Sequence, residues 1–388
     1  LHQFYKSLAV RMAEQGIALQ TSVRTSIYYM GFNLTDPVVG GKTSQEQQRA
    51  RYLRQAARDL RAAAAANQRG AVAIRELAAS MGADGMAAGF ERIKERGRRS
   101  LERALQRMSQ GVREAEETLD DGTVIKARVD VGAGRIAVDF TGTSGEHPNN
   151  LNATEAIVRS AVIYTLRLLV DEPIPLNEGL MRAVELTLPP CFLSPVFVED
   201  PARCPAVAAG NVETSQRVVD TLLKALGIAG CSQGTMNNVV FGTERGDVNY
   251  YETICGGCGA TAEGPGASAV HSHMTNTRIT DPEILETRYP VRLERFAVRR
   301  GSGGDGKLRG GDGVERVMRF LAPLSLSVLT QHRVAGPLHD KGHWRAATAP
   351  PWQRRRARAT APRASLLRPT PAHSGPQPCR TRHGPARD

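Results

Sequence analysis

Two histidines stand two residues apart in Val270-His271-Ser272-His273-Met274-Thr275-Asn276, a spacing that on a strand turns both imidazoles to one side. Such a pair can move protons or hold a metal, with packing or loop hydrogen bonding as the plainer reading, because two histidines alone do not complete a metal site. Upstream, Gly210-Asn211-Val212-Glu213-Thr214-Ser215-Gln216 offers an amide and a carboxylate. Asn211 suits the N-cap of a helix that carries Val219, Leu222, Leu223 and Leu226 and stops at Gly227, with Glu213 in its first turn. A capping role and a site role for Asn211 stand level. Two further clusters, Ser232-Gln233-Gly234-Thr235-Met236-Asn237-Asn238 and Tyr250-Tyr251-Glu252-Thr253 leading to Gly256-Gly257, complete the set. Small polar residues set between apolar segments are what loops converging on a ligand require.

Two other patterns promise chemistry and fall short of it. Cys255-Gly256-Gly257-Cys258 has redox or zinc-half-site spacing, yet Cys191, Cys204, Cys231 and Cys379 are scattered singly and give no second pair. Its glycines point instead to close backbone approach. Gly301 to Lys307 fits the start of a phosphate-binding loop, but Leu308 stands where a hydroxyl must hold magnesium. Alternating Val314, Val317 and Phe320 then predict a strand where such a loop needs a helix.

The elements that must position these loops read in order along the chain. Residues 43–79 predict an alanine-rich helical pair with Leu53, Ala57, Leu60 and Ala64 on one stripe and a break at Gly70. Met86, Phe90, Ile93, Leu101 and Leu105 predict a third, basic helix. After Asp120-Asp121-Gly122 the period becomes two, with Ile125, Ala127, Val129 and Val131 followed across Gly132-Ala133-Gly134 by Ile136, Val138 and Phe140, a β-hairpin. A buried helix follows from about Ala153 to Val170, then an extended turn at Pro173-Ile174-Pro175-Leu176-Asn177-Glu178-Gly179. The whole is expected to be an α+β fold: a helical N-terminal region (1–114), a mixed helix-and-strand core of catalytic type (115–335) and a disordered basic C-terminal tail (341–388).

Several of these motifs together resemble the hydantoinase B/oxoprolinase family. Asp139-Phe140-Thr141-Gly142-Thr143-Ser144 is similar to its D-F-x-G-T-S, and Pro173 to Gly179, Asp281-Pro282-Glu283 and the glycine run from Gly301 to Gly313 follow in the family's order. Residues 115–335 carry the resemblance closely, residues 12–20 and 43–82 loosely. It implies a cytoplasmic hydrolase that opens a cyclic amide such as 5-oxoproline to L-glutamate, with ATP, in glutathione turnover. ATP and magnesium would sit on a hydantoinase A-type companion component or a fused region, and a small lactam and an oligomer are implied with them. On this reading His271, His273, Asn211 and Glu213 are the catalytic candidates. The resemblance also implies a possible divalent metal whose Asp and His ligands follow the first helix. Here that place reads Tyr28-Tyr29-Met30-Gly31-Phe32-Asn33-Leu34-Thr35, a family segment is expected to be missing around residues 35–42, and His147 is the first histidine after His2. A non-catalytic fragment or scaffold without the first-half ligands is therefore the alternative.

Composition sets outer limits on function. The chain has 388 residues, 41% of them hydrophobic, enough for a sizeable core. It shows neither an apolar run near the roughly 20 residues of a membrane span nor a secretory pattern. Residues 341–388 hold eleven Lys and Arg against one acid, so all but +2 of the +12 formal charge lies there. A nearly neutral body argues against nucleic acid or membrane as partner, and the abrupt change after about His339 reads as an out-of-frame or unspliced extension.

Overall fold

A computed structural model describes residues 42–200, 203–243 and 248–333. Residues 12–20 with their loose family resemblance, the side chains of Leu53 and Ala57, and the 341–388 tail lie outside the described residues. The structure begins with α1 (Lys42–Met81) and α2 (Ala83–Gln106). Gly70 does not break α1, contrary to the sequence expectation, because one helical glycine costs only about 1 kcal/mol and α1 is long. The break falls at Gly82, whose φ of 72° no side chain tolerates cheaply. Along α2 only the C-terminal part of the predicted stripe is used: Leu101 and Leu105 are fully buried, whereas Phe90 and Ile93 are each 43% exposed.

Four strands follow in spatial order β1 (Gly111–Thr118), β2 (Val124–Gly132), β3 (Arg135–Asp139) and β4 (Val184–Thr187). The predicted hairpin is β2–β3, with Val129 opposite Val138 and the turn at Gly132 to Arg135. β1 escaped the sequence reading because Arg113, Glu114, Glu116 and Glu117 mask its alternation, though it pairs antiparallel with β2 throughout. β4 adds parallel to β3 after a crossover through α3 (Glu155–Leu168) and a short 3₁₀ turn, Glu178–Ala183. Ile125, Val129, Val131, Ile136 and Val138 form one core with Val158 and Val162 of α3 and Val218, Val219, Leu222 and Leu223 of α4 (Ser215–Leu226). As expected, α4 stops at Gly227.

A three-stranded antiparallel sheet has the order β6 (Asn249–Thr253), β5 (Asn238–Gly242), β9 (Ser325–Leu329). A two-stranded ribbon, β7 (Val291–Val298) with β8 (Val314–Phe320), follows the short α5 (Pro282–Arg288), whose first amides are capped by Asp281. The predicted strand after the glycine run is present as β8, but its inward face is Val314, Arg316, Met318 and Phe320; Val317 points outward. A smaller core of Phe241, Tyr250, Leu285 and Val291 lies between these parts. Among the described residues no helix is long and apolar enough to cross a membrane.

Candidate functional site

Asn211 does not cap α4. Gly210–Thr214 form a π-helical turn that runs into α4 without a break, so the backbone of Asn211 is already helical and its carbonyl accepts the Ser215 hydroxyl. π-turns displace one helical face relative to the next and recur at functional sites. From this turn four polar residues, Glu213, Gln216, Arg217 and Asp220, follow at positions i, i+3, i+4 and i+7, one face of a helix. All four are at most 1% exposed. The opposite face is the apolar one named above, so both sides of α4 are interior.

Each member of this face holds a loop. Gln216 donates Nε2 to the Ser272 carbonyl at 3.1 Å and to Thr275 Oγ1 at 3.0 Å, and its Oε1 accepts the Met274 amide at 2.9 Å. Those three bonds fix the histidine loop. Asp220 accepts the Ser232 amide at 2.8 Å on Oδ1 and the Ser232 hydroxyl at 3.1 Å on Oδ2, fixing the next loop. Arg217 pairs with Glu117 of β1 at 3.1 Å, bonds the Thr118 carbonyl and contacts His332. Glu213 accepts Thr235 Oγ1 at 2.7 Å on one oxygen, and its other oxygen is buried without a hydrogen-bond partner. Burial outweighs the Thr235 hydroxyl, the Met236 amide and the Arg217 charge and pushes the Glu213 carboxyl up to about 8, which favours its neutral form at pH 7.

His273 meets Asp220, with Nε2 2.9 Å from Oδ1. Burial alone would raise the Asp220 carboxyl, but the His273 bond and charge, the Ser232 amide and the Arg217 charge together take it below the usual range. An ionised Asp220 can only accept, so His273 carries a proton on Nε2, and in the neutral imidazole Nδ1 is the acceptor. Tyr164 of α3 has its hydroxyl 3.4 Å from that Nδ1, and the two rings meet edge to face. The histidines lie on a loop, so the strand geometry that would turn both to one side does not apply: His273 sits at φ 50°, a backbone conformation costly for a non-glycine residue. His271 Nδ1 is buried without a partner; burial pulls its pKa down against the charge of Glu252, which contacts Arg316 at 3.0 Å.

The four residues singled out in the sequence therefore do not share an open cleft. Glu213 and Asp220, the partner of His273, lie two turns or roughly 10 Å apart along one helical face, and Glu213 is sealed from solvent. His271 lies near enough to Glu252 of β6 to feel its charge. Sequence reasoning placed Gln216 and Ser232 within its polar clusters without a role and missed Arg217, Asp220 and Tyr164, although polar residues at helical spacing opposite an apolar stripe were a signal for the first two.

The expected cofactors can be tested on these residues. Among the described residues no group of three or more His, Cys, Asp or Glu is placed to hold a metal, and both ring nitrogens of His273 and of His147 are already engaged. The described residues thus do not fit a metal. The loop from Gly301 does not fit a nucleotide phosphate: the Asp312 carboxylate accepts the Gly301 and Gly303 amides at 3.2 and 2.7 Å, filling the position a phosphate would take. Burial raises the Cys255 and Cys258 thiols, the latter to about 11, which disfavours thiolate chemistry.

An α+β protein with an interior polar helix face gathering glycine-rich loops is the class that fold and site define. The chain belongs to the hydantoinase B/oxoprolinase family, whose profile matches residues 29–352. It is 43% identical over 296 residues to 5-oxoprolinase 1 of Arabidopsis thaliana, covering 72% of this chain and 23% of that protein. It is 39% identical over 300 residues to 5-oxoprolinase of Dictyostelium discoideum, covering 75% of this chain and 23% of that one. The chain thus spans about a quarter of the length of these curated relatives. In fold it is similar to the ATP-dependent caprolactamase from Pseudomonas jessenii, with TM-score 0.53 and 24% identity over 63% of this chain and 45% of that one.

Proposed function

We propose that this chain contributes the hydrolytic site of an ATP-dependent cyclic-amide hydrolase of the 5-oxoprolinase type, opening 5-oxoproline to L-glutamate. The observation that carries the reading is the Asp220–His273 pair, a histidine in a fixed tautomer on a loop that three Gln216 hydrogen bonds hold. Family membership and the names of the relatives supply the reaction class. A planar amide resists water because resonance protects its carbonyl. The ATP-using step that activates the carbonyl oxygen belongs, in this reading, to a hydantoinase A-type component or fused region that holds ATP and magnesium. This chain's part is to place water and move its proton.

Within that division His273 is the proton acceptor, and Asp220 stabilises the imidazolium that forms. His271 and Asn211, both half-buried, are assigned to substrate contact; Glu213, being sealed, acts through Thr235 and the 232–236 loop. A cytoplasmic setting, a place in glutathione turnover and an oligomeric assembly complete the proposal. The test is reconstitution of the full chain with a hydantoinase A-type component, following glutamate release and ATP consumption with 5-oxoproline. Glutamate release that falls at least about 100-fold in His273→Gln supports the reading. Release unaffected by that change, or none from the unaltered chain, refutes it, and the latter outcome would make this chain a scaffold.

A further inference from the structure

Neither ring nitrogen of His273 is free to meet a substrate. Nε2 is held by Asp220 and Nδ1 faces the Tyr164 hydroxyl, while the His273 side chain is only 9% exposed. Tyr164, on α3, is half-buried, and Cys258, also half-buried, lies near enough for its charge to be felt at Tyr164. Ser232 fixes Asp220 from behind through two hydrogen bonds. The chain of contacts thus runs from a fully buried carboxylate, through an imidazole held in a strained backbone, to a half-buried phenol.

We propose that Tyr164 is the catalytic residue that touches the substrate, handing protons between the reacting atoms and His273. The proposal rests on the cyclic-amide reading above and deepens it. As water attacks the activated carbonyl carbon, a C–O bond forms and a water O–H bond breaks. The released proton goes to the Tyr164 oxygen while the Tyr164 proton passes to His273 Nδ1, giving an imidazolium beside the Asp220 carboxylate. When the ring C–N bond breaks, the same two transfers run in reverse and deliver that proton to the departing nitrogen. Tyr164 ends as it began; breaking the C–N bond leaves the phosphoryl group that ATP placed on the carbonyl oxygen as an acyl phosphate, a second water releases it as phosphate with the free carboxylate, and no oxidant is required. Burial, then the charges of Cys258 and Asp220, raise the Tyr164 pKa, so the phenol keeps its proton at neutral pH until it is needed.

Tyr164→Phe removes one oxygen and keeps the ring against His273, so the variant is expected to fold with an unchanged thermal transition. In the reconstituted system kcat should fall about 100-fold or more with KM within about twofold, the split expected when a proton-transfer group is lost. A kcat within about threefold of the unaltered chain overturns the proposal. A second measurement on the isolated full chain separates this from the fate of the reaction itself. The side-chain ¹⁵N resonances of His273, assigned by their loss in His273→Gln, should show a proton on Nε2 and an Nδ1 signal that moves in Tyr164→Phe. A proton on Nδ1, or an Nδ1 signal indifferent to the substitution, overturns the relay even where turnover is absent. An Nδ1 response without any turnover would keep the relay and discard 5-oxoproline hydrolysis as the reaction.

Discussion

Raising the pH from the acid side toward pH 8 should destabilise this protein through Glu213, and Glu213→Gln should remove that dependence. The folded carboxyl binds its proton up to about pH 8 because the site is sealed, one oxygen has no partner and Thr235 satisfies only the other. In the unfolded chain the same carboxyl titrates at its ordinary value of 4.5. Between those values the folded state holds one more proton than the unfolded state, so stability is fully present below the lower value and falls as pH rises. One proton is worth about 1.4 kcal/mol per pH unit. Across the whole window the limit is roughly 5 kcal/mol, and about half of that is expected once the interior relaxes around the charge. Glutamine keeps the acceptor for Thr235 and cannot ionise. Urea midpoints of both proteins should be measured at several pH values from about 5 to 8. Contributions from every other group cancel in the difference between the two proteins. Wild type should lose ground to Glu213→Gln steadily with pH. Parallel curves would refute the reasoning and mean that Glu213 ionises freely in the folded protein.

The pair of Arg217 and Glu117, 1% and 2% exposed, makes a second prediction. Glu117→Gln leaves the Arg217 charge buried and should cost about 3–5 kcal/mol, whereas replacing both partners with apolar residues of similar volume should recover much of that loss in the same denaturation assay. Gly259→Ala should be destabilising by more than about 1 kcal/mol, because the added carbon would lie 1.9 Å from the Gly230 carbonyl oxygen and only backbone could yield; a thermal transition equal to wild type would contradict it.

What the sequence determined by itself is local. Alternation from Ile125 to Phe140 specified the β2–β3 hairpin, the apolar run after Ala153 specified α3, and the Val219 to Leu226 stripe ending at Gly227 specified α4. Each depends on neighbours within a few residues, so period and turn chemistry suffice. The ordered motifs likewise sufficed for the family. Gly70 shows where local reasoning ends, since a weak breaker inside a long helix is overruled by the turns on either side. The site was hidden for a different reason. His273 finds Asp220 53 residues away, Arg217 finds His332 115 residues away, and Tyr164 finds His273 across 109. Nothing near these residues says whether a polar side chain faces water or a partner. Only tertiary packing decided that the polar face of α4 is interior, and burial there makes every unpaired proton and charge expensive enough to fix a tautomer, neutralise Glu213 and hold the histidine loop in place.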